Sequence, residues 1–134
     1  MRVVLDTNVL IAAFISRGAC ARLFEAIMTT HEAVSSVSLL QEFHDKLTTK
    51  FRFSQSDADE ALALLKWKTQ LVTPVALQQP ICRDPDDDLV LATAATGDAQ
   101  CIITGDKDLL ILKQFQGIDI IRPADFMAYE SARV

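Results

Sequence analysis

The stretch Val3-Val4-Leu5-Asp6-Thr7-Asn8-Val9-Leu10-Ile11 decides the fold. Val3 to Leu5 is a short apolar run rich in β-branched residues, the pattern of a strand buried on both faces. It stops at Asp6, and Thr7-Asn8 leads into a second apolar run, Val9 to Phe14, with helical character. A carboxylate between two buried elements is costly without a partner or a task. In open α/β folds ligands sit at the carboxyl ends of the strands, and Asp6 stands at such an end. Two readings of it are open: a cap for the following helix, as Asp often is, or a member of a site.

The surrounding composition sets the bounds. A chain of 134 residues, 50% hydrophobic with 4 Gly and 4 Pro, suits one globular domain over residues 1–134 and excludes a disordered or fibrous protein. No apolar run is long enough to span a bilayer and no signal-peptide pattern opens the chain, so a cytoplasmic location is expected. Cys20, Cys82 and Cys101 are odd in number and lack metal-ligand spacing; they suit small apolar positions in a reducing compartment. A formal net charge of -5 argues against a generic nucleic-acid coat. It leaves room for an enzyme that holds nucleic acid through divalent cations and a local basic patch.

Outward from Ile11, Gly18 breaks the pattern and Ala19 to Met28 reads as an amphipathic helix. Glu32 to Ser36 reads as a weak strand. The next helix starts at Ser36 or Ser38, where Ser38-Leu39-Leu40-Gln41 has capping-box form, and Leu39, Leu40, Phe43 and Leu47 make its core stripe. Glu42 borders that stripe. His44 has no second His or Cys spaced to join it as a ligand. Ser56 to Glu60 caps a further helix with Ala58, Ala61, Leu62 and Leu65 inward, and Trp67 is expected half in the core at its end. Leu71 to Val75 reads as a short strand. Asp84-Pro85 has the grammar of a helix start, and the helix after Asp86-Asp87-Asp88 is apolar all round, so residues 87 and 88 should lie against the protein body. Gly97 ends it. Cys101 to Thr104 is another doubly buried strand, with Gly105-Asp106-Lys107-Asp108 at its carboxyl end, then a short helix from Leu109 to Phe115. Ile118 to Ile121 makes a last strand and Pro123 opens a terminal helix. Strands alternate with helices and no hairpin signal intervenes, which indicates a parallel sheet covered on both faces.

Two of these strands therefore end in an acid, Asp6 and Asp106, and parallel strands deliver their carboxyl ends to one edge of the sheet. Glu42 and the 84–88 acids sit at or near the starts of helices that pack on it. Carboxylates converging without matched Lys or Arg repel, and a divalent cation is the simplest remedy. Oxygen-only donors favour Mg²⁺ or Mn²⁺ over Zn²⁺. Such ions activate water and stabilise charge at a phosphoryl centre, which is chemistry for phosphodiester hydrolysis.

The motifs resemble those of PIN-domain ribonucleases, notably the toxins of VapBC-type toxin–antitoxin systems. Val4-Leu5-Asp6-Thr7-Asn8-Val9-Leu10 is similar to their opening motif and Gln41-Glu42-Phe43 to the site of their helical glutamate. Asp87-Asp88-Leu89-Val90-Leu91-Ala92-Thr93-Ala94 and Ile103-Thr104-Gly105-Asp106-Lys107-Asp108-Leu109 resemble the third and fourth motifs, in order along nearly the whole length. The resemblance implies a three-layer α/β/α sandwich with a mainly parallel central sheet and a Mg²⁺- or Mn²⁺-dependent endoribonuclease. It also implies an antitoxin partner and a homodimer or higher oligomer. Carried over, the metal ligands are Asp6, Glu42, Asp87 and Asp106, with Asp88 the alternative to Asp87. Alignment of Leu91-Ala92-Thr93-Ala94 with the family's Ala-rich helix favours Asp87. Asn8 would orient Asp6 or a water on the metal, and Asp84 and Asp108 would support the ligands.

Two other classes compete: a PIN-like binding module with little or no nuclease activity, acting through a protein or nucleic-acid partner, and a small metal-dependent phosphatase. The first has no reason to keep four costly charges together. The second lacks an evident phosphate-cradling glycine loop or nucleophilic-aspartate motif. With the chain at -5, RNA must be met by a few cations near the site, and the candidates are Arg17, Arg22, Lys46, Arg83 and Lys107. Charge repulsion also leads to the expectation that removing the Asp6 charge stabilises the metal-free protein.

Overall fold

The computed structural model describes residues 1–16 and 18–133. Six strands form one sheet: Arg2–Leu5 (β1), Glu32–Ser35 (β2), Gln70–Leu71 (β3), Cys101–Ile103 (β4), Gln114–Phe115 (β5) and Ile118–Ile121 (β6). Between and after them run the helices Thr7–Ile15 (α1), Ala19–Thr30 (α2), Val37–Thr49 (α3), Gln55–Lys68 (α4), Pro85–Thr96 (α5), Lys107–Leu110 (α6) and, past a 3-10 turn at Pro123–Asp125, Phe126–Ala132 (α7). The strand order is β3-β2-β1-β4-β6-β5, and every pairing is parallel except β5 with β6.

Alternation along the central strands sends side chains to both faces, and both are covered. Val3, Leu5, Cys101 and Ile103 pack beneath α1, α2, α3, α4 and α7 through Leu10, Ile27, Phe43, Leu65 and Phe126. Val4, Val34, Ile102 and Ile120 pack on the other side against Leu91 and Ala94 of α5 and Leu109 of α6. The result is a three-layer α/β/α sandwich with a mainly parallel sheet. No helix among the described residues is long and apolar enough to cross a membrane.

One junction between layers needs glycine. A Cβ built on Gly97 would stand 2.5 Å from Cγ1 of Val34 and 3.1 Å from the Thr93 carbonyl oxygen. Val34 is buried and β-branched, so it has little room to yield. Gly97 thus lets α5 end directly against β2.

Several local expectations are corrected. A hairpin does occur: β5 and β6 are joined by Gln116 and Gly117 at φ 52° and 79°, a two-residue turn with both central residues left-handed. Gln is an unusual residue for that conformation, so the turn carries no sequence signal, and the helix expected to run to Phe115 stops at Leu110. The cap of α3 is Ser36, which accepts from the Leu39 amide at 3.3 Å, and that of α4 is Ser54, which accepts from Asp57 at 3.0 Å. Ser36 is thus the one of the two starts open for α3 that is taken, and only the α4 cap moves, from Ser56 to Ser54. Trp67 is 81% exposed instead of half in the core. Leu65 holds the inward face of α4, and a residue two further along a helix points about 200° away from it. Of the expected 71–75 strand only Leu71 lies in the observed one, Gln70–Leu71, before the chain departs into the 72–84 connector.

Candidate active site

The site forms where β1 and β4 end side by side. The Asp6 amide donates to the Ile103 carbonyl at 3.0 Å and the Thr104 amide to that of Ile121, also at 3.0 Å, so the ladder continues one residue past the strands. That register sets Asp6 beside Thr104. Asp6 caps α1: its Oδ1 accepts from the Thr7 amide at 2.7 Å, and its Oδ2 accepts from the Thr104 hydroxyl, also at 2.7 Å. The same hydroxyl oxygen accepts from the Asp106 amide at 3.0 Å, which fixes the turn that carries Asp106. Asp6 is thus both a cap and a site residue.

Asp106 in turn caps α6, accepting from the Asp108 amide at 2.9 Å. From the other layer, the first turn of α5 presents Asp87, only 7% exposed, toward the same place. Asp87, Asp106 and Asp108 each contribute a carboxylate oxygen to a group whose members all lie within 4.8 Å of one another. Glu42, on the second turn of α3, accepts from the Thr7 hydroxyl at 3.4 Å and pairs with Lys46 at 3.0 Å.

Burial raises the pKa of Asp6, and the bonds from Thr104 and Thr7 offset part of that rise; the charges of Asp106 and Glu42 add to it. Asp87 is pushed up to about 7, first by burial, then by a hydrogen bond with Asp106 and that residue's charge, with Asp84 and Asp6 contributing. Desolvation and neighbouring negative charge thus favour the protonated form of Asp87 up to near neutral pH. Cys82 lies close by, but burial and the charge of Asp88 push its thiol up to about 11, so it offers no thiolate nucleophile.

The remaining candidates separate by contact. The Asp88 carboxylate faces the connector, accepting from the amides of Ile81 at 3.2 Å and Cys82 at 2.8 Å. Asp84 caps α5 through the Asp86 amide at 2.9 Å. Asn8 is exposed, and among the described residues the groups bonded to the Asp6 carboxylate are the Thr7 amide and the Thr104 hydroxyl. Arg83 donates to both oxygens of Asp108 at 2.9 and 3.1 Å. Lys46 is tied to Glu42, Arg22 is exposed on α2, and Lys107 is exposed beside Asp106 with no ion pair among the described residues. Arg17 lies outside the described residues. Sequence reasoning missed Thr104 and Thr7; a hydroxyl beside a motif acid was the available signal, but its bonds depend on strand register.

The donor set fits a hard divalent cation. Oxygen ligands converge, their mutual repulsion is visible in Asp87, and Arg83 is the one cation paired with the group of three among the described residues.

The family model described as PIN domain matches residues 2–108. Among solved structures, VapBC2 from Rickettsia felis bound to a promoter DNA fragment is similar in fold at TM-score 0.67 and 13% identity, over 91% of this chain and 98% of that one. VapBC-1 from nontypeable Haemophilus influenzae is similar at TM-score 0.66 and 16% identity, over 92% and 99%. No curated protein matches in sequence.

Proposed function

The chain belongs to the PIN-domain family, and from that premise we propose that it is a metal-dependent endoribonuclease, the toxin of a cytoplasmic toxin–antitoxin pair. The observation that carries the proposal is the convergence of Asp87, Asp106 and Asp108 beside Asp6 at the carboxyl edge of the sheet. Asp6, Glu42, Asp87 and Asp106 would hold Mg²⁺ or Mn²⁺, with Asp108 as a further donor. Asp88 is assigned to the connector because two amides already occupy its carboxylate. When bound, such an ion supplies Lewis acidity at the phosphodiester and makes water a better nucleophile.

The chain's own residues prepare that chemistry. Thr104 and Thr7 fix the Asp6 carboxylate so that its lone pairs point in set directions. Asp87 keeps its protonated form up to near neutral pH, and a cation held beside it would favour the charged carboxylate. Burial of Asp6 and Asp87 keeps bulk water from screening the site. A charge cluster kept intact supports catalysis over a binding-only role, since such a cluster serves no purpose in a passive module.

The two solved structures described above are of VapBC proteins, which supports an antitoxin as partner. A homodimer or higher oligomer is part of the same proposal. The test is cleavage of a structured RNA by purified protein with Mn²⁺ or Mg²⁺ and with EDTA. Cleavage only with the metal supports the reading. No cleavage of any RNA under either ion, by protein that is folded and free of its partner, refutes it.

A further inference from the structure

A second feature of the carboxyl edge lies beyond the acids. One residue past the register pairs Leu5↔Ile103 and Ile103↔Ile121 stand Asp6, Thr104 and Arg122, in a row across three strands. Neighbouring strands are roughly 4.8 Å apart, so the Arg122 backbone begins about 10 Å from that of Asp6. Between α6 and the end of β6 a cleft of about 500 Å³ opens, lined by Lys107, Leu110, Ile111, Ile121, Arg122 and Asp125 among others. Lys107 follows Asp106 directly, so one wall of the cleft adjoins the acid group.

Three observations bear on what fills it. The cations that sequence placed near the site are partly spent, Lys46 on Glu42 at 3.0 Å and Arg83 on Asp108 at 2.9 Å. Those of the cleft are not: Lys107 has no ion pair among the described residues, and Arg122 is held only by Asp125 at 3.5 Å, an exposed pair of little strength. Ile111 is 78% exposed at the cleft, an apolar side chain that nothing in the fold covers. Two cations around an apolar floor match the amphipathic make-up of a nucleotide, anionic along its backbone and apolar on the faces of its base.

We propose that this cleft binds the nucleotide next to the scissile phosphate of a single-stranded RNA, with Lys107 and Arg122 on its phosphates and Ile111 against its base or ribose. The proposal rests on the ribonuclease reading and names the strand's path away from the acids. The apolar floor offers no hydrogen-bond code, so the contact is indifferent to base identity. Asp125 opposes the phosphate and sets a limit on affinity.

The test is anisotropy of a fluorescent single-stranded RNA of about ten nucleotides in EDTA across a salt series, together with KM and kcat for its cleavage with Mn²⁺. Arg122→Ala and Lys107→Ala should each weaken binding roughly fivefold at low salt and flatten the salt slope by about 0.7. KM should rise while kcat holds. Ile111→Glu should weaken binding likewise, and Asp125→Asn should tighten it. Lys50→Ala is the control, because α3 carries Lys50 about 20 Å from the edge where that helix starts. All four alterations are at exposed positions, and melting curves establish that the variants fold. A wild type that cleaves RNA, with Arg122→Ala, Lys107→Ala and Ile111→Glu unchanged in KM and salt slope, overturns the cleft assignment alone. A wild type that neither binds nor cleaves RNA overturns the cleft and the nuclease reading together.

Discussion

The Thr104 hydroxyl donates to Asp6 at 2.7 Å, and both groups are buried. Since the same oxygen accepts from the Asp106 amide at 3.0 Å, a single side chain couples the ends of two strands and sets the relative position of two acids. Thr104→Val preserves shape but leaves a carboxylate oxygen and an amide without partners. It should cost about 1–3 kcal/mol of stability and lower Mn²⁺ affinity roughly tenfold to a hundredfold. Thr104→Ser should restore most of both. Denaturant melts and metal titration by calorimetry measure the two effects; a Val variant with unchanged metal affinity would refute the coupling.

Asp87 makes stability depend on pH. Its folded pKa of about 7 exceeds the ordinary carboxylate value of 3.8. A raised pKa favours the fold at low pH, fully below about 4, and that contribution is lost as pH climbs through about 7. The metal-free protein should lose up to about 4 kcal/mol over this window, less where water screens the pair. Asp87→Asn should flatten the dependence and raise Tm at pH 8 in EDTA. An Asn variant that melts lower at pH 8 and keeps the wild-type pH profile would show that repulsion at this residue is not the cause.

Metal should reverse that instability. Mg²⁺ or Mn²⁺ at ten times its Kd should stabilise wild type by about 1.4 kcal/mol. Asp87→Asn or Asp106→Asn should gain clearly less at the same concentration. Tm shifts across a titration measure this, and equal shifts in all three proteins would place the ion elsewhere.

Asp87 and Asp88 should part in kinetics. Asp6→Asn, Asp87→Asn or Asp106→Asn should each lower RNA cleavage roughly a hundredfold or more, because several kcal/mol of charge stabilisation is at stake. Asp88→Asn and Asp86→Asn should keep most activity. The first of these also loosens the 81–82 amides, at a cost of about 1 kcal/mol. Activity retained in folded Asp87→Asn and lost in Asp88→Asn would invert the assignment.

Gly97→Ala should destabilise the protein by roughly 1–3 kcal/mol, since the added methyl meets Val34 at 2.5 Å. The companion Val34→Ala should relieve that clash in part. Chemical denaturation of the two single variants and the double variant gives the coupling.

The sequence by itself determined the layers and the acids. Apolar runs of three to five residues alternating with helical stripes are the pattern of a mainly parallel sheet covered on both faces, so the sandwich was legible from Val3–Leu5 and Cys101–Ile103 onward. Asp6 and Asp106 were legible too, because a charge at the end of a doubly buried strand is conspicuous. What chain order cannot encode is contact between residues far apart. Thr104 meets Asp6 across 98 positions, and only the β1–β4 register brings hydroxyl to carboxylate. That contact also changes an expectation. Charge repulsion alone predicts that removing the Asp6 charge stabilises the metal-free protein, but Asn there cannot accept on both sides, so the relief falls at Asp87. The Gln116–Gly117 turn and the outward Trp67 were settled likewise, by pairing and helix rotation over local propensity. Composition gives the charge of -5; tertiary structure decides which cations are spent on carboxylates and which face the cleft. The physical reason is range: hydrophobic period and capping act within a few residues, whereas hydrogen bonds, ion pairs and carboxylate repulsion act through space once the strands have set their register.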